Sequence, residues 1–132
     1  MQPDDLSATA YRPRDLGQPR REPVDHIDCI PWQGGPLVVT LCCDEFTALC
    51  PVTGQPDFGT LEVRYAPRAH LIETKSLKLF LWRYRERGIF GEILVDELAE
   101  TLFAQLAPEW IEVEGRFASR GGIRITASAR RP

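Results

Sequence analysis

Residues 59–88 read GTLEVRYAPRAHLIETKSLKLFLWRYRERG, and the period changes half-way along. Leu61, Val63 and Tyr65 alternate with Glu62 and Arg64, which predicts a half-buried strand. From Ser76 the apolar residues Leu77, Phe80, Leu81 and Tyr84 follow helical spacing, Arg83, Arg85 and Arg87 gather near the end, and Gly88 supplies a stop. Downstream, Leu94, Leu98, Leu102 and Leu106 recur every fourth residue between Phe90 and Pro108, with Asp96, Glu97 and Glu100 among them, predicting a second amphipathic helix. Ile111, Val113 and Phe117, with Gly115 in phase, and then Ile123, Ile125 and Ala127 alternate on either side of Arg120-Gly121-Gly122, predicting two strands joined by a turn. Upstream, residues 37–43 (LVVTLCC) follow Gly34, Gly35 and Pro36 and read as a first strand. The order ββααββ implies an α+β fold, a four-stranded antiparallel sheet with two helices on one face. Such a sheet leaves two edges to be blunted or paired.

A chain of 132 residues supports one domain with a modest core. Residues 1–24 carry Pro3, Pro13, Pro19 and Pro23 among Asp, Arg and Gln, and are expected to form an extended or disordered arm before a single domain over 25–132. A formal net charge of −3 gives no electrostatic reason to expect nucleic acid or an anionic membrane as direct partner. No apolar run approaches the roughly 20 residues that span a bilayer, and no short apolar secretory segment opens the chain. A cytoplasmic protein with free thiols is therefore expected, although Cys29, Cys42, Cys43 and Cys50 are even in number. Adjacent Cys42 and Cys43, and His26 far from His70, do not make a zinc set, so no metal is expected. Without a GxGxxG after a strand, a dinucleotide would need a surface other than a Rossmann fold. Trp32, Trp82 and Trp110 read as packing.

Residues 46–58, FTALCPVTGQPDF, have the composition of a rigid irregular loop outside the core, with Pro51, Gly54 and Pro56 confining the backbone. The loop carries Cys50 and Asp57. They are either a buried structural thiol with a turn-forming acid, or a nucleophile with a proton carrier. Glu92, at the start of the second helix, either serves only the helix dipole or accepts a pair of ligand donors in bidentate fashion. Lys75, Ser76 and Lys78 fall in the first turn of the first helix, where free amides and ammonium groups suit an anion; solvated lysines are the plain alternative. Arg120 is either a bidentate phosphate contact or one end of a tight turn.

The strings LCPVTGQPDF and ETKSLKLF, beginning at Leu49 and Glu73, resemble the short type of the QueF family, NADPH-dependent reductases of 7-cyano-7-deazaguanine (preQ0) in queuosine tRNA-modification biosynthesis. The resemblance covers about residues 37–125. It implies a tunnelling fold (T-fold) whose sheets close into oligomeric barrels, pentamers or decamers, with active sites between subunits. It implies Cys50 as nucleophile and Asp57 as proton donor. Ile72, Glu73, Thr74, Gly91 and Glu92 then meet the substrate, and Lys75, Ser76, Lys78 and Arg120 meet NADPH. A nitrile carbon is a weak electrophile, and a thioimide formed by a thiolate accepts hydride more readily. Two departures stand out. Thr74 replaces the family's usual Ser and keeps the hydroxyl. Gly91 replaces a usual His, so water or another side chain such as His70 takes over, or rate or preference differs. Two other readings remain: a related amidinotransferase acting on modified tRNA, which lacks the lysine signature, and a non-catalytic ring that binds a purine through Glu92. GTP cyclohydrolase chemistry would require zinc ligands that the chain lacks.

Overall fold

The computed structural model describes residues 21–132. Its elements are β1 (Cys29–Pro31), β2 (Val39–Leu49), β3 (Pro56–Ala66), β4 (His70–Ile72), α1 (Thr74–Trp82), a 3-10 turn (Arg83–Glu86), α2 (Gly91–Leu106), β5 (Trp110–Phe117) and β6 (Thr126–Arg131). The main sheet is antiparallel in the order β2-β3-β5-β6. The expected α+β class is thus present. The pairing of β1 with β4 is an addition that the sequence did not signal, since three-residue strands are too short to display a period. Of the expected arm, residues 1–20 lie outside the described residues. Val24 is buried, and its amide donates to the Leu79 carbonyl at 3.3 Å, so the end of that segment packs on α1.

Alternation places Leu61, Val63 and Tyr65 of β3 and Ile111 and Val113 of β5 on one sheet face, and the four-residue ladder of α2 lies over it. Leu94, Leu98, Leu102 and Leu106 are each no more than 1% exposed. Beside α2, the 3-10 turn lays Tyr84 against Phe46 of β2, ring centroids 6.0 Å apart. The opposite face carries alternating charges. Arg116 reaches Glu114 and Glu62 at 2.8 and 3.6 Å, and Arg64 and Arg130 reach Glu112 at 3.8 and 3.7 Å. Trp110, expected among the packing residues, stands half-buried between the Arg64 and Arg130 guanidiniums.

Three expected boundaries move. Residues 46–58 are not one loop: β2 runs to Leu49, β3 begins at Pro56, and Phe46 and Ala48 are core residues, each 3% exposed. The cause is a bulge. Cys43 opposes Leu61 and Phe46 opposes Gly59, so Asp44 and Glu45 share one partner, and the inward face passes from Val39, Leu41 and Cys43 to Phe46 and Ala48. At the other hairpin, Ile123 and Ile125 precede β6 rather than form it, because the glycine turn closes on the single Arg120–Ile123 bridge before pairing resumes at Arg116–Thr126. The first helix opens two residues earlier than expected and gives way to the 3-10 turn after Trp82 instead of continuing to Gly88.

Candidate active site

The turn between β2 and β3, residues 50–55, is tied by backbone bonds from Cys50 N to Gln55 O (2.8 Å) and Gly54 N to Cys50 O (2.9 Å). Gly54 has φ 72°, left-handed backbone that favours glycine. Cys50 is half-buried rather than sealed in the core; Cys29, at 3% exposed, is the buried thiol. The Thr53 hydroxyl holds the Cys50 thiol down to about 7, helped by the amides of Thr53 and Val52 and, least, by the Arg120 guanidinium, with desolvation opposing them. A thiol so placed is about half ionised near neutrality, and the thiolate is the form that attacks carbon. Thr53 escaped notice in the sequence, although a hydroxyl in a tight turn commonly turns back on its own loop.

Asp57 opposes Ala48 at the base of the same hairpin. Its Oδ1 lies 2.8 Å from Arg120 Nη2, which also donates to the Pro56 carbonyl at 3.1 Å. Arg120, expected at a cofactor phosphate, is therefore engaged by the proposed acid. From the other side, the segment between the 3-10 turn and α2 pins the end of β2. Leu49 N donates to Arg87 O (3.0 Å) and Ile89 N to Leu49 O (3.1 Å). Arg87 is held in turn by a bidentate pair with Glu97 (2.7 and 2.9 Å), which also accepts from the Tyr84 hydroxyl at 2.8 Å. Burial, then the Glu97 carboxylate, push the Tyr84 phenol well above its usual value.

Glu92 is exposed in the first turn of α2, whose start has no side-chain cap, so its carboxylate is open to a ligand. The space a side chain at Gly91 would need is filled by Phe117: a Cβ there would stand 2.6 Å from the ring. Gly115 and Gly59 make room for the same ring, with a Cβ 2.8 and 2.9 Å away. No local signal in the sequence joins these residues.

The second expected cluster is elsewhere. Ile72 is buried, and its amide donates to the Tyr65 hydroxyl at 2.9 Å. Asp57 and Tyr65 are the second and tenth residues of β3, about 25 Å apart at strand rise. Ile72, Glu73, Thr74, Lys75, Ser76 and Lys78 thus lie at the far end of the sheet from Cys50, Asp57, Gly91, Glu92 and Arg120. The amides expected to be free at the start of α1 are not: the Glu73 carboxylate accepts from Lys75 N and Ser76 N, both at 2.8 Å. Ser76 is fully buried, its hydroxyl bonded to Asp28 N (2.7 Å) and Glu73 O (2.8 Å), which corrects its expected side-chain role at a phosphate. Thr74 and Lys78 are exposed and Lys75 is half-buried.

Residues 56–132 match the family described as QueF-like protein. The chain belongs to the QueF family. A relative from Anaeromyxobacter dehalogenans (strain 2CP-C), named NADPH-dependent 7-cyano-7-deazaguanine reductase, is 49% identical over 100 residues, covering 76% of this chain and 82% of the relative. A Helicobacter pylori (strain Shi470) protein of the same name is 50% identical over 88 residues, covering 67% and 60%. Among solved structures, the archaeosine synthase QueF-Like in the apo form superposes with a TM-score of 0.68 at 25% identity, covering 74% of this chain and 95% of that one. The ββααββ arrangement therefore agrees with a QueF-family fold in sequence and in three dimensions.

Proposed function

We propose that this protein is an NADPH-dependent nitrile reductase that takes 7-cyano-7-deazaguanine to its aminomethyl product. The observation that carries the reading is Cys50, a half-buried thiol drawn down to about 7 in a rigid turn above Asp57, in a chain whose relatives bear the name of that reductase. The Cys50 sulfur bonds to the nitrile carbon, and the thiol proton passes through Asp57 to the nitrile nitrogen, giving a thioimide. When bound, NADPH supplies the two hydrides that the four-electron reduction needs. Between them Cys50 leaves as thiolate, and Asp57 returns protons to the product nitrogen. Glu92 accepts from N1–H and the 2-amino group of the base. Lys75 and Lys78, one turn apart on α1, fit the cofactor phosphates as point charges, while the amides between them, already capped by Glu73, do not.

A separation of about 25 Å along β3 keeps the two clusters apart within one chain. A second copy brings Ile72, Glu73, Thr74, Lys75 and Lys78 to the Cys50 of its neighbour, in a homo-oligomer whose sheets join at the open edges. The partner set is then a small deazapurine and further copies of the chain, without direct nucleic-acid contact, in the cytoplasm. Among the described residues, no helix is long and apolar enough to cross a membrane.

The likeness to the archaeosine synthase QueF-Like favours a second reading, amidine transfer, in which the same sulfur would attack but no reductant would be consumed. The test is mass spectrometry of the protein mixed with the nitrile, with and without NADPH. The expected result is an adduct on the Cys50 peptide, absent in Cys50→Ala, followed by nitrile-dependent loss of NADPH absorbance. An adduct without NADPH consumption selects the second reading, and no adduct at all removes both.

A further inference from the structure

Arg120 belongs to neither lysine of the expected phosphate site; it reaches across to the base of the nucleophile's hairpin. Its backbone is not free to wander. Arg120 N and O exchange bonds with Ile123 at 2.8 and 2.9 Å, and Gly121 and Gly122, at φ 56° and 80°, form a two-residue turn with both central residues left-handed, the type whose twist matches the flanking strands. One further bond, from Ala118 N to Phe58 O at 2.8 Å, fastens the start of this turn to β3 beside Asp57. From that fixed base a single guanidinium nitrogen spans the Asp57 carboxylate (2.8 Å) and the Pro56 carbonyl (3.1 Å).

We propose that Arg120 is a positioning residue for the nucleophile: its guanidinium holds the Asp57 carboxylate at the hairpin base, where it accepts the Cys50 proton as sulfur bonds to the electrophilic carbon. The assignment rests on the nitrile-reductase reading for its electrophile, though not for its geometry. In the step, the S–H bond breaks, its electron pair forms the S–C bond, and the proton passes to the Asp57 carboxylate. Asp57 then releases it to the nitrogen that gains the nitrile π pair, so nothing is oxidised or reduced. The groups around the sulfur agree. The Thr53 hydroxyl and two amides face it from its own turn, Arg120 faces it from the β5–β6 turn, and the uncharged Gly88 packs on the neighbouring Pro51. Arg120 and Asp57 are 44% and 26% exposed, so their pair adds little to folding, and removing it isolates the effect on the thiol.

The experiment measures the rate of Cys50 carbamidomethylation by iodoacetamide, from neutral to alkaline pH and without substrate, in wild type, Arg120→Gln, Arg120→Lys and Asp57→Asn, with thermal melting alongside. Arg120→Gln is expected to slow alkylation about threefold at neutral pH, to match wild type in alkali where the thiol is fully ionised, and to melt at the same temperature. Arg120→Lys, which keeps the charge and loses the fork, is expected to recover part of the rate. An Arg120→Gln variant that alkylates like wild type at every pH overturns the assignment. So does one that is slower in alkali as well, because that pattern reports access to the sulfur rather than its ionisation. Because no nitrile enters this measurement, its failure is distinct from absence of the nitrile adduct.

Discussion

Gly91, where the resemblance implies a His, lies against the ring of Phe117. The ring stands where a side chain at 91 would begin, so a His there requires Phe117 to shift. Gly91→His is predicted to lower stability by about 1–3 kcal/mol, the usual range for overpacking. Shortening the ring by Phe117→Ala in the same chain should restore at least ~1 kcal/mol of that loss, as contacting residues couple in double-mutant cycles. Urea titration of the two single variants and the double variant measures this, and strictly additive losses would refute the coupling. The turn that carries Cys50 was legible in the sequence because prolines and a glycine within a few residues report a local structure, whereas the roles of Cys50 and Asp57 were implied only by the resemblance. Phe117 was not legible, because its three glycine neighbours come from β3, α2 and β5 and meet only after the sheet has formed.

Element ends show the same division between local and distant causes. The period of α2 was readable, since four leucines at four-residue spacing leave little choice of buried face. Its C-terminal cap was not: Ala107 takes φ 51°, the left-handed position usually given to glycine, just before Pro108. A left-handed alanine costs about 1–2 kcal/mol, and glycine loses about 0.5–1 kcal/mol more entropy on folding. Ala107→Gly is therefore expected to stabilise the protein by about 0.5 kcal/mol, seen as a higher urea midpoint at unchanged slope. A lower midpoint would show that the Ala107 methyl is needed for packing. The misplaced boundary of β2 has another origin. Prolines and glycine in residues 46–58 argue for a loop, whereas pairing with β3 and a two-against-one bulge carry the strand on to Leu49.

At the scale of the molecule, the two halves of the expected site stand at opposite ends of one sheet, and this has a direct consequence for mixed assemblies. Neither Cys50→Ala nor Lys78→Ala alone should turn over nitrile at the wild-type rate. Unfolded and refolded together in equal amounts, they should recover roughly a quarter of wild-type activity, because a site shared by two random copies is intact in that fraction of cases. A mixture no more active than the better of its components would place both halves within one chain. The amino-acid sequence by itself determined what short-range physics controls: the order of the main-sheet strands and the two helices, the buried faces of β3, β5 and α2, and the family. Tertiary structure alone decided that Ser76 is spent on Asp28, that Arg120 answers Asp57, and that Phe117 fills the place of a side chain at 91. Each of these joins groups whose contact depends on how hairpins and helices stack, and periodicity along a chain carries no record of distances across it.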